Sequence, residues 1–504
     1  MQRRVGILAV LAVVAGVAWL QQGGDYNQNS HYVLVRALAD GTPEVDSALG
    51  EIGELSTRDL TRWHGHYYSD KAPGLAFVTL PAFVALDAAG VIEPGEPKDA
   101  LWLLGLVGVV LPFGLLLLMV RAVAEDVEPG FGTAAAVAVG LGTILLPYAT
   151  LFYSHLLSAC LVFGTFFLLY RARGRGRATL AVFIGGLLAG LAVTTEYPNG
   201  LAVILLGAYA LSERPRIARA LTYASGVIVG VIPLAVYDCW AFGSITHISR
   251  TGSLTAEDPG QGFFGVGAPS ATSALELLFS TTGLVTLAPV VVCGLAALPI
   301  VYARGGRREA LLVAALATAY IAFNTGYDAT FGGFAPGPRY VIPILPFIAL
   351  GLAPAFRRWP TTTTGLAAVS VVVMSSITAT HALAGYNLGW FDRIAGRQFT
   401  ETAASLVGVT GWYTVVPFFA AVAVAVALAF ASARRPELSP LETVVGGGAV
   451  LVWAVLAAAA PVQQDLGGRG QEYGAYGAVL AVGAVLAVAA AVLLRPGTPS
   501  RDPN

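Results

Sequence analysis

The stretch ALWLLGLVGVVLPFGLLLLMV, residues 100–120, runs for 21 residues without a charged side chain. An α-helix needs roughly 20 predominantly apolar residues to cross the hydrocarbon core of a membrane. Backbone polar groups in that core must bond to one another, and a helix satisfies them within one segment. The stretch therefore predicts a transmembrane helix, and the rest of the chain repeats its pattern.

The composition of the whole chain points the same way. Of its 504 residues 56% are hydrophobic and only 12% are charged, and the mean hydropathy is +0.71. Soluble domains carry about 25% charged residues, so the composition excludes a soluble globular enzyme and a disordered chain. The formal net charge of −1 argues against a nucleic-acid-binding protein, which would carry a basic surplus. The three cysteines lie in apolar runs and predict no disulfide framework.

Fourteen apolar runs predict an all-α polytopic membrane protein with about 14 transmembrane helices. The first run follows Arg3 and Arg4 as in a signal peptide, but it lacks a clear small-residue cleavage site, so we interpret it as a retained anchor. The fourteen runs are 5–20, 100–120, 131–149, 155–170, 178–195, 199–212, 218–241, 283–303, 309–325, 340–356, 361–383, 412–432, 441–461 and 475–494.

A further apolar run, 74–92, decides the topology. If it lies in the membrane interface or re-enters, then RARGRGR (171–177), RGGRR (304–308) and ARRPE (433–437) fall on the same side as the N-terminal Arg pair. Short loops rich in arginine prefer the cytoplasm. We therefore predict an interfacial or re-entrant helix on the outer face, a multi-pass protein of the cell membrane, and two cytoplasmic termini.

This topology separates the charges by side. The cytoplasmic side receives 19 of the 29 Lys and Arg residues but only 8 of the 30 acidic residues, and all six histidines fall outside or at outer helix ends. Few charges lie near mid-membrane, where a secondary transporter would be expected to carry ionisable sites. Residue types used for chemistry thus concentrate on one face, which predicts an extracytoplasmic active site.

The longest extramembrane segment is the first outer loop, residues 21–99, and loops of this length are usually functional. Its residues 28–39 predict a short amphipathic helix lying on the membrane. The loop then carries the string HGHYYSDKAPG at 64–74. There Asp70 can act as a base or metal ligand, and Lys71 can hold a phosphate as a compact positive charge.

Four strings resemble segments of the GT-C superfamily of membrane glycosyltransferases, in particular relatives of protein O-mannosyltransferases and of lipid A aminoarabinose transferases. The likeness covers roughly residues 1–350. It divides the chain into a GT-C-like catalytic membrane module, 1–356, which includes the outer loop 21–99, and C-terminal transmembrane helices of unclear role, 357–504. The strings are NQNSHYVLVRALADG (27–41), HGHYYSDKAPGLAFVTLP (64–81), LLFSTTGLVTLAPVVV (277–292) and GGFAPGPRYVIPILPF (332–347).

The resemblance implies transfer of a sugar from a polyprenyl-phosphate donor to an acceptor hydroxyl outside the cytoplasm, with inversion and with an Asp of the first loop as general base. The acceptor is a glycan, a lipid or a protein. Many relatives carry an Asp-Glu pair where this chain has Gln28 and Asn29. The catalytic role must therefore fall to Asp25, Asp59 or Asp70, or the acidic base is absent.

The remaining candidate residues follow from the chemistry of the reaction. The charge growing on the leaving phosphate must be met by Lys, Arg or a metal ion. Lys71 and Arg339 are the best outer-face cations, and Tyr340 and His155 join them as candidate ligands of the donor phosphate. Arg339 has the alternative reading of an interface arginine that only reaches towards water.

Glu196 and His66 are candidates for binding the sugar, the acceptor or a metal. No ligand spacing demands a metal, so a divalent cation stays an open alternative as a cofactor. Two other functions also stay open. One is a lipid or polysaccharide transporter. The other is an O-antigen ligase or polymerase, which uses a diphosphate donor and for which loop 384–411 would be the active loop.

Overall fold

A computed structural model describes residues 2–53, 56–92, 97–174, 179–254, 266–327, 330–333, 336–383, 390–436 and 438–460. Helices dominate the described residues, and the few strands are short. The N-terminal half contains α1 (Gln2–Ala18), β1 (Leu20–Gln21), α2 (Tyr26–Ala39), α3 (Asp46–Ile52), β2 (Leu60–Trp63), β3 (His66–Ser69), α4 (Gly74–Ala88), α5 (Pro97–Gly105), a π-helical turn (Leu106–Val110), α6 (Leu111–Val127), α7 (Gly132–Gly142), α8 (Leu145–Tyr148), α9 (Ser154–Arg171), α10 (Thr179–Thr195), a 3-10 turn (Tyr197–Asn199), α11 (Gly200–Leu211) and α12 (Arg216–Phe242).

The C-terminal half continues the helical pattern with several short helices. It contains α13 (Ala271–Phe279), α14 (Leu284–Leu287), α15 (Val290–Ala296), α16 (Leu298–Ala303), α17 (Arg307–Gly326), a 3-10 helix (Arg339–Ile348), α18 (Ala349–Arg358), α19 (Pro360–Thr380), α20 (Trp390–Ala395), β4 (Glu401–Thr402), a 3-10 turn (Ser405–Val407), α21 (Trp412–Ser432) and α22 (Pro440–Ala458).

Eight helices of the described residues are long and apolar enough to cross a membrane. A ninth is gained if Ala271–Leu287 and Val290–Ala303, which meet at 97°, form one bent span. The expected count of about 14 is not confirmed, because several apolar runs break into shorter helices. Run 131–149, for example, divides into α7 and α8, and run 475–494 lies outside the described residues. The eight are Pro97–Val127, Ser154–Arg171, Arg216–Phe242, Arg307–Gly326, Arg339–Arg358, Pro360–Thr380, Trp412–Ser432 and Pro440–Ala458.

Ion pairs connect the ends of several of these helices. Five ion pairs join residues that the sequence places on the cytoplasmic side, and each pair bridges different helices or loops. These five pairs join neighbouring helix ends, while the sorting of the charges by side and the cytoplasmic location of these residues stay predictions. The pairs are Arg171–Asp126, Arg173–Glu309, Arg304–Glu128, Arg357–Glu128 and Arg308–Glu213.

The two ends of α4 contact two other helices, α10 and α2. Gly74, its first residue, packs so closely on Thr195 at the end of α10 that an added Cβ would overlap that residue. Asp87, near its other end, lies 3.5 Å from the guanidinium of Arg36 in α2. A helix of 15 residues is about 22 Å long, which is shorter than the hydrocarbon core of about 30 Å. The interfacial or re-entrant assignment of run 74–92 stays a prediction.

The helix expected over 28–39 forms, but its surroundings differ from the expectation. It extends from Tyr26 to Ala39, and most of its side chains are buried by protein, including the polar Asn27 and His31. The prediction of an amphipathic helix lying on the membrane is therefore wrong, because other parts of the chain cover nearly all of its faces. As a result α2 places polar side chains in the interior of the protein.

Helix α10 is anchored to α12 by glycine contacts. Gly186 and Gly190 face Gly226 and Gly230, and a Cβ on any of the four would overlap the backbone of the opposite helix. Small residues allow helix backbones to approach closely within membranes. This contact fixes the end of α10, from which Glu196 projects.

The helices after residue 357 pack directly on the earlier part of the chain. Gly16 of α1 lies against Ala421 of α21, and β1 pairs antiparallel with β4. Trp453 of α22 donates a hydrogen bond of 2.9 Å to the carbonyl of Thr286. The division of the chain at residue 356 stays a sequence-based prediction.

Candidate active site

Asp25 is placed by the start of α2. It is the N-cap of that helix, and its Oδ1 accepts a hydrogen bond of 2.8 Å from the backbone N–H of Gln28. Its Oδ2 accepts a hydrogen bond from the hydroxyl of Tyr153, which directly precedes α9. Removal from water raises the pKa of the Asp25 carboxyl, and this effect outweighs the two hydrogen bonds that lower it. A carboxyl of this kind holds its proton more readily than an exposed aspartate does.

The hairpin β2–β3 brings Lys71 between two carboxylates. Asp59 immediately precedes β2, and Asp70 and Lys71 follow β3, so pairing of the strands sets the three side by side. The Nζ of Lys71 lies 2.8 Å from Asp59 Oδ2 and 2.7 Å from Asp70 Oδ1. Asp70 Oδ2 also accepts a 2.7 Å hydrogen bond from Ser253. The positive charge of Lys71 is thus compensated within the protein.

Electrostatics keep Lys71 and Asp59 charged. Burial lowers the pKa of Lys71, but the charges of Asp59 and Asp70 outweigh it and raise that pKa to about 12. Burial likewise raises the pKa of Asp59, but the charge and hydrogen bond of Lys71 outweigh it and lower that pKa. Asp59 is therefore a weaker proton acceptor than Asp25.

Glu196 is held by the first residues of α9. Its Oε1 lies 3.1 Å from Nδ1 of His155 and accepts a hydrogen bond from the hydroxyl of Ser154. Burial raises the pKa of Glu196, but His155 and Ser154 outweigh it and lower that pKa to about 2, so the carboxylate is ionised. We assign the proton of His155 to Nδ1 from this contact, which leaves Nε2 as an acceptor. That Nε2 is buried and has no hydrogen-bond partner within the described part of the chain.

Arg339 is a cation without a carboxylate partner among the described residues. It begins the 3-10 helix Arg339–Ile348, and Gly332 leaves room for it, since a Cβ there would overlap the guanidinium. The guanidinium carbon lies 6.0 Å from the ring centre of Tyr153 and 5.2 Å from that of Tyr340. Its Nη2 donates to the Tyr340 hydroxyl at 3.3 Å, while its Nε is buried and unpartnered. A charged group out of water is costly unless it is paired, so this position favours an anion.

Aromatic rings connect these groups into one cluster. The ring centre of Tyr148 lies 5.6 Å from those of both Tyr153 and His155, and that of His155 lies 5.9 Å from Tyr340. Burial is the largest influence on the pKa of Asp25, Asp59 and Glu196, and the charge of Arg339 acts on each of the three. The structure therefore brings together Asp25, Asp59, Asp70, Lys71, His155, Glu196, Arg339 and Tyr340, and the role of each stays a proposal.

His66 is the predicted site residue that lies elsewhere. It is exposed at the end of the hairpin, with Nδ1 3.4 Å from Asp46 Oδ2 and 3.5 Å from Glu44 Oε2. These three side chains are close enough together to hold a cation. They also join the start of α3 to the hairpin, because Asp46 accepts a hydrogen bond of 3.2 Å from the backbone N–H of Tyr67.

Sequence reasoning missed four side chains of the cluster: Tyr148, Tyr153, Ser154 and His31. His31 Nε2 lies 3.4 Å from the Ser154 hydroxyl. Burial, with a smaller contribution from the charge of Lys71, lowers the pKa of His31 to about 3, so it is neutral. The signal for the first three was present in YATLFYSHLL (148–157), which surrounds the predicted His155. Aromatic residues at a membrane boundary are so common that the string did not single them out.

The chain matches no family model and no curated protein sequence. Solved structures show a partial likeness. The oligosaccharyltransferase of Archaeoglobus fulgidus in its apo form aligns at 13% identity with a TM-score of 0.43, over 95% of this chain and 64% of that one. ArnT from Cupriavidus metallidurans bound to undecaprenyl phosphate aligns at 14% sequence identity with a TM-score of 0.46, over 96% of this chain and 75% of that one. The arabinosyltransferase EmbB from Mycobacterium smegmatis aligns at 16% sequence identity with a TM-score of 0.44, over 90% of this chain and 40% of that one. This chain thus spans less than two thirds of the archaeal enzyme.

Proposed function

We propose that the protein is a membrane glycosyltransferase that moves a sugar from a polyprenyl-phosphate donor to an acceptor hydroxyl on the extracytoplasmic face. One observation carries the proposal. Arg339, which has no carboxylate partner in the described residues, shares a cluster with the half-buried carboxyl of Asp25. Sugar transfer needs both a base for the attacking hydroxyl and a cation for the departing phosphate.

Asp25 is the best of the three predicted bases. A general base works best when its pKa lies near the operating pH. Asp59 and Asp70 both pair with Lys71, and the pKa of Asp59 is lowered, whereas that of Asp25 is raised. A single attack on the anomeric carbon, opposite to the departing phosphate, inverts the configuration of the sugar.

The donor phosphate binds at Arg339 in this proposal. A guanidinium forms paired hydrogen bonds with phosphate oxygens, and Tyr340 holds one end of the guanidinium in place. The Tyr148 hydroxyl, buried and without a partner among the described residues, is a further donor on the same side. Lys71 attracts the phosphate less strongly, because two carboxylates already compensate its charge.

Glu196 binds the sugar in this proposal. Its Oε1 is fixed by Ser154 and His155. Its Oε2 accepts no hydrogen bond from the described residues, and the side chain is 19% exposed. An ionised carboxylate with one fixed and one open oxygen suits a sugar hydroxyl as hydrogen-bond donor.

The distribution of charge weighs against the transporter alternative. In the eight described candidate spans the ionisable side chains lie within about two turns of a helix end. A transport path would be expected to place some of them near the midplane. The chemistry instead concentrates in a cluster on one face.

The test is transfer by the purified protein in lipid nanodiscs. We expect a panel of polyprenyl-phosphate sugars, mixed with cell-envelope extracts as acceptors, to yield a glycosylated product and free polyprenyl phosphate. Folded protein that transfers nothing from any monophosphate donor contradicts the proposal. Transfer from diphosphate donors alone would favour the ligase alternative.

A further inference from the structure

We propose that Gln28 is a positioning residue whose side-chain amide fixes the Asp25 carboxyl against the Tyr153 hydroxyl. The consequence for catalysis rests on the proposed function. The sequence marks this position only as a departure from the acidic residue of many relatives.

The amide of Gln28 ties two separate chain segments together. The side chain is 1% exposed, its Nε2 donates to the carbonyl of Gly23 at 2.7 Å, and its Oε1 accepts from the backbone N–H of Phe152 at 2.8 Å. Its own backbone N–H donates to Asp25 Oδ1 at 2.8 Å. All three distances are those of good hydrogen bonds. One residue thus contacts the segment before Asp25, the Asp25 carboxyl and the segment before α9.

The two tied segments carry the two partners of the catalytic hydrogen bond. Gly23 lies two residues before Asp25, and Phe152 immediately precedes Tyr153, whose hydroxyl donates to Asp25 Oδ2. The positions of Gly23 and Phe152 therefore set the distance between carboxyl and hydroxyl.

The chemistry of the position requires an amide. A buried carbonyl and a buried N–H must both be satisfied, and an amide supplies one donor and one acceptor. An ionised glutamate would keep the acceptor for Phe152 but would set a negative charge against the carbonyl of Gly23. A methionine matches the volume of glutamine and leaves both backbone groups without partners, which is costly for buried groups.

We call the two hydrogen bonds of the Gln28 amide, to Gly23 and to Phe152, the bridge. Loss of the bridge should change the pH dependence of the reaction. Charged groups acting on Asp25 are Asp59, which raises its pKa, and Arg339, which lowers it, and the hydrogen bonds of Tyr153 and Gln28 also lower it. If Tyr153 moves away, one of these stabilising bonds is lost. The carboxyl then takes up a proton at a higher pH. The acid limb of the rate profile, which is the fall in rate on acidification, therefore moves to higher pH.

The experiment compares Gln28→Met with Gln22→Met in the full-length protein in nanodiscs. Gln22 is a matched control because it is also a buried amide, 4% exposed, and donates to the carbonyl of Thr378 at 2.9 Å without touching Asp25. We expect Gln28→Met to lower kcat by about 100-fold, since a misplacement of about 1 Å has that effect. The KM for the donor should change little, and the acid limb should move upward. Gln22→Met should leave both kcat and the limb near their wild-type values.

Hydrogen exchange provides a readout that needs no activity. We expect the amide of Phe152 to exchange faster in Gln28→Met and unchanged in Gln22→Met. If Gln28→Met does not fold, Gln28→Asn is the second variant: it keeps an amide without adding a titratable group but is one methylene too short to reach both Gly23 and Phe152, and a smaller fall in kcat is expected.

Three results would overturn the proposal: unchanged exchange at Phe152, an unchanged acid limb in an active Gln28 variant, or equal loss of kcat in the Gln28 and Gln22 variants. A wild-type protein inactive with every donor overturns the proposed function instead, and exchange at Phe152 then still decides for or against the bridge.

Discussion

Replacing Asp25 by asparagine separates the chemical role of this residue from its structural role. The asparagine keeps a side-chain oxygen that can accept the backbone N–H of Gln28, now 2.8 Å from Asp25 Oδ1. Asparagine caps helices about as well as aspartate does. The fold of α2 should therefore persist, with a change in the free energy of unfolding below about 1 kcal/mol.

The expected effect on catalysis is much larger. An amide cannot take the proton of the attacking hydroxyl, and a positioned general base contributes about 10²- to 10⁴-fold to a rate. This range corresponds to about 3 to 5.5 kcal/mol in the activation free energy. The effect should appear in kcat more than in the donor KM, because Arg339 and Tyr340 are untouched.

The assay follows release of polyprenyl phosphate under saturating donor, together with thermal unfolding of each variant in the same nanodiscs. Asp40→Asn is a suitable control, since Asp40 lies at the other end of α2 and its side chain is 48% exposed. We expect the control to keep wild-type kcat. An Asp25→Asn protein that keeps more than about a tenth of wild-type kcat would refute the assignment of the base.

Four further predictions test other parts of the site and fold. Arg339→Gln should raise the donor KM by about 10- to 150-fold through loss of charged hydrogen bonds worth about 1.5 to 3 kcal/mol; an unchanged KM would remove Arg339 from the phosphate site. The rate profile should fall as the pH drops through the pKa of Asp25, which burial raises above that of an ordinary aspartate; a limb no higher than that of an ordinary exposed aspartate would contradict Asp25 as base. Glu196→Gln keeps the oxygen that Ser154 and His155 hold but removes the charge, so it should weaken donor binding without unfolding the protein; equal loss of donor and free polyprenyl phosphate binding would speak against a sugar contact. Gly190→Ala should destabilise the α10–α12 contact by about 1 to 3 kcal/mol through overpacking, whereas Gly448→Ala, with open space around it, should not lower the unfolding temperature.

The helical membrane architecture could be predicted because its signals are local. The apolar composition of residues 100–120 is enough to predict a transmembrane helix. The arginine clusters can be assigned to one side of the membrane from the sequence, without knowing how the helices pack. The number of spans could not be predicted in the same way. Run 131–149 is apolar throughout, yet it is divided into α7 and α8, and such breaks depend on neighbouring helices as much as on the run itself.

The candidate site was predictable in its charged residues and less so in its neutral ones. A carboxylate or guanidinium near a membrane stands out, so Asp25, Glu196 and Arg339 could be selected from the sequence. The sequence does not show whether a charged side chain is already paired. Lys71 looks unpaired in the sequence, but the hairpin places it between two carboxylates. The importance of Gln28 depends on a contact with Phe152, 124 residues further along the chain.

The most direct test of the central claim is the fate of a polyprenyl-phosphate donor labelled in its sugar. Purified protein with an envelope acceptor should move the label to the acceptor with inverted anomeric configuration, and Asp25→Asn should reduce that transfer at least about 100-fold. A label that stays on the lipid with folded wild-type protein, across all donors, would contradict the account.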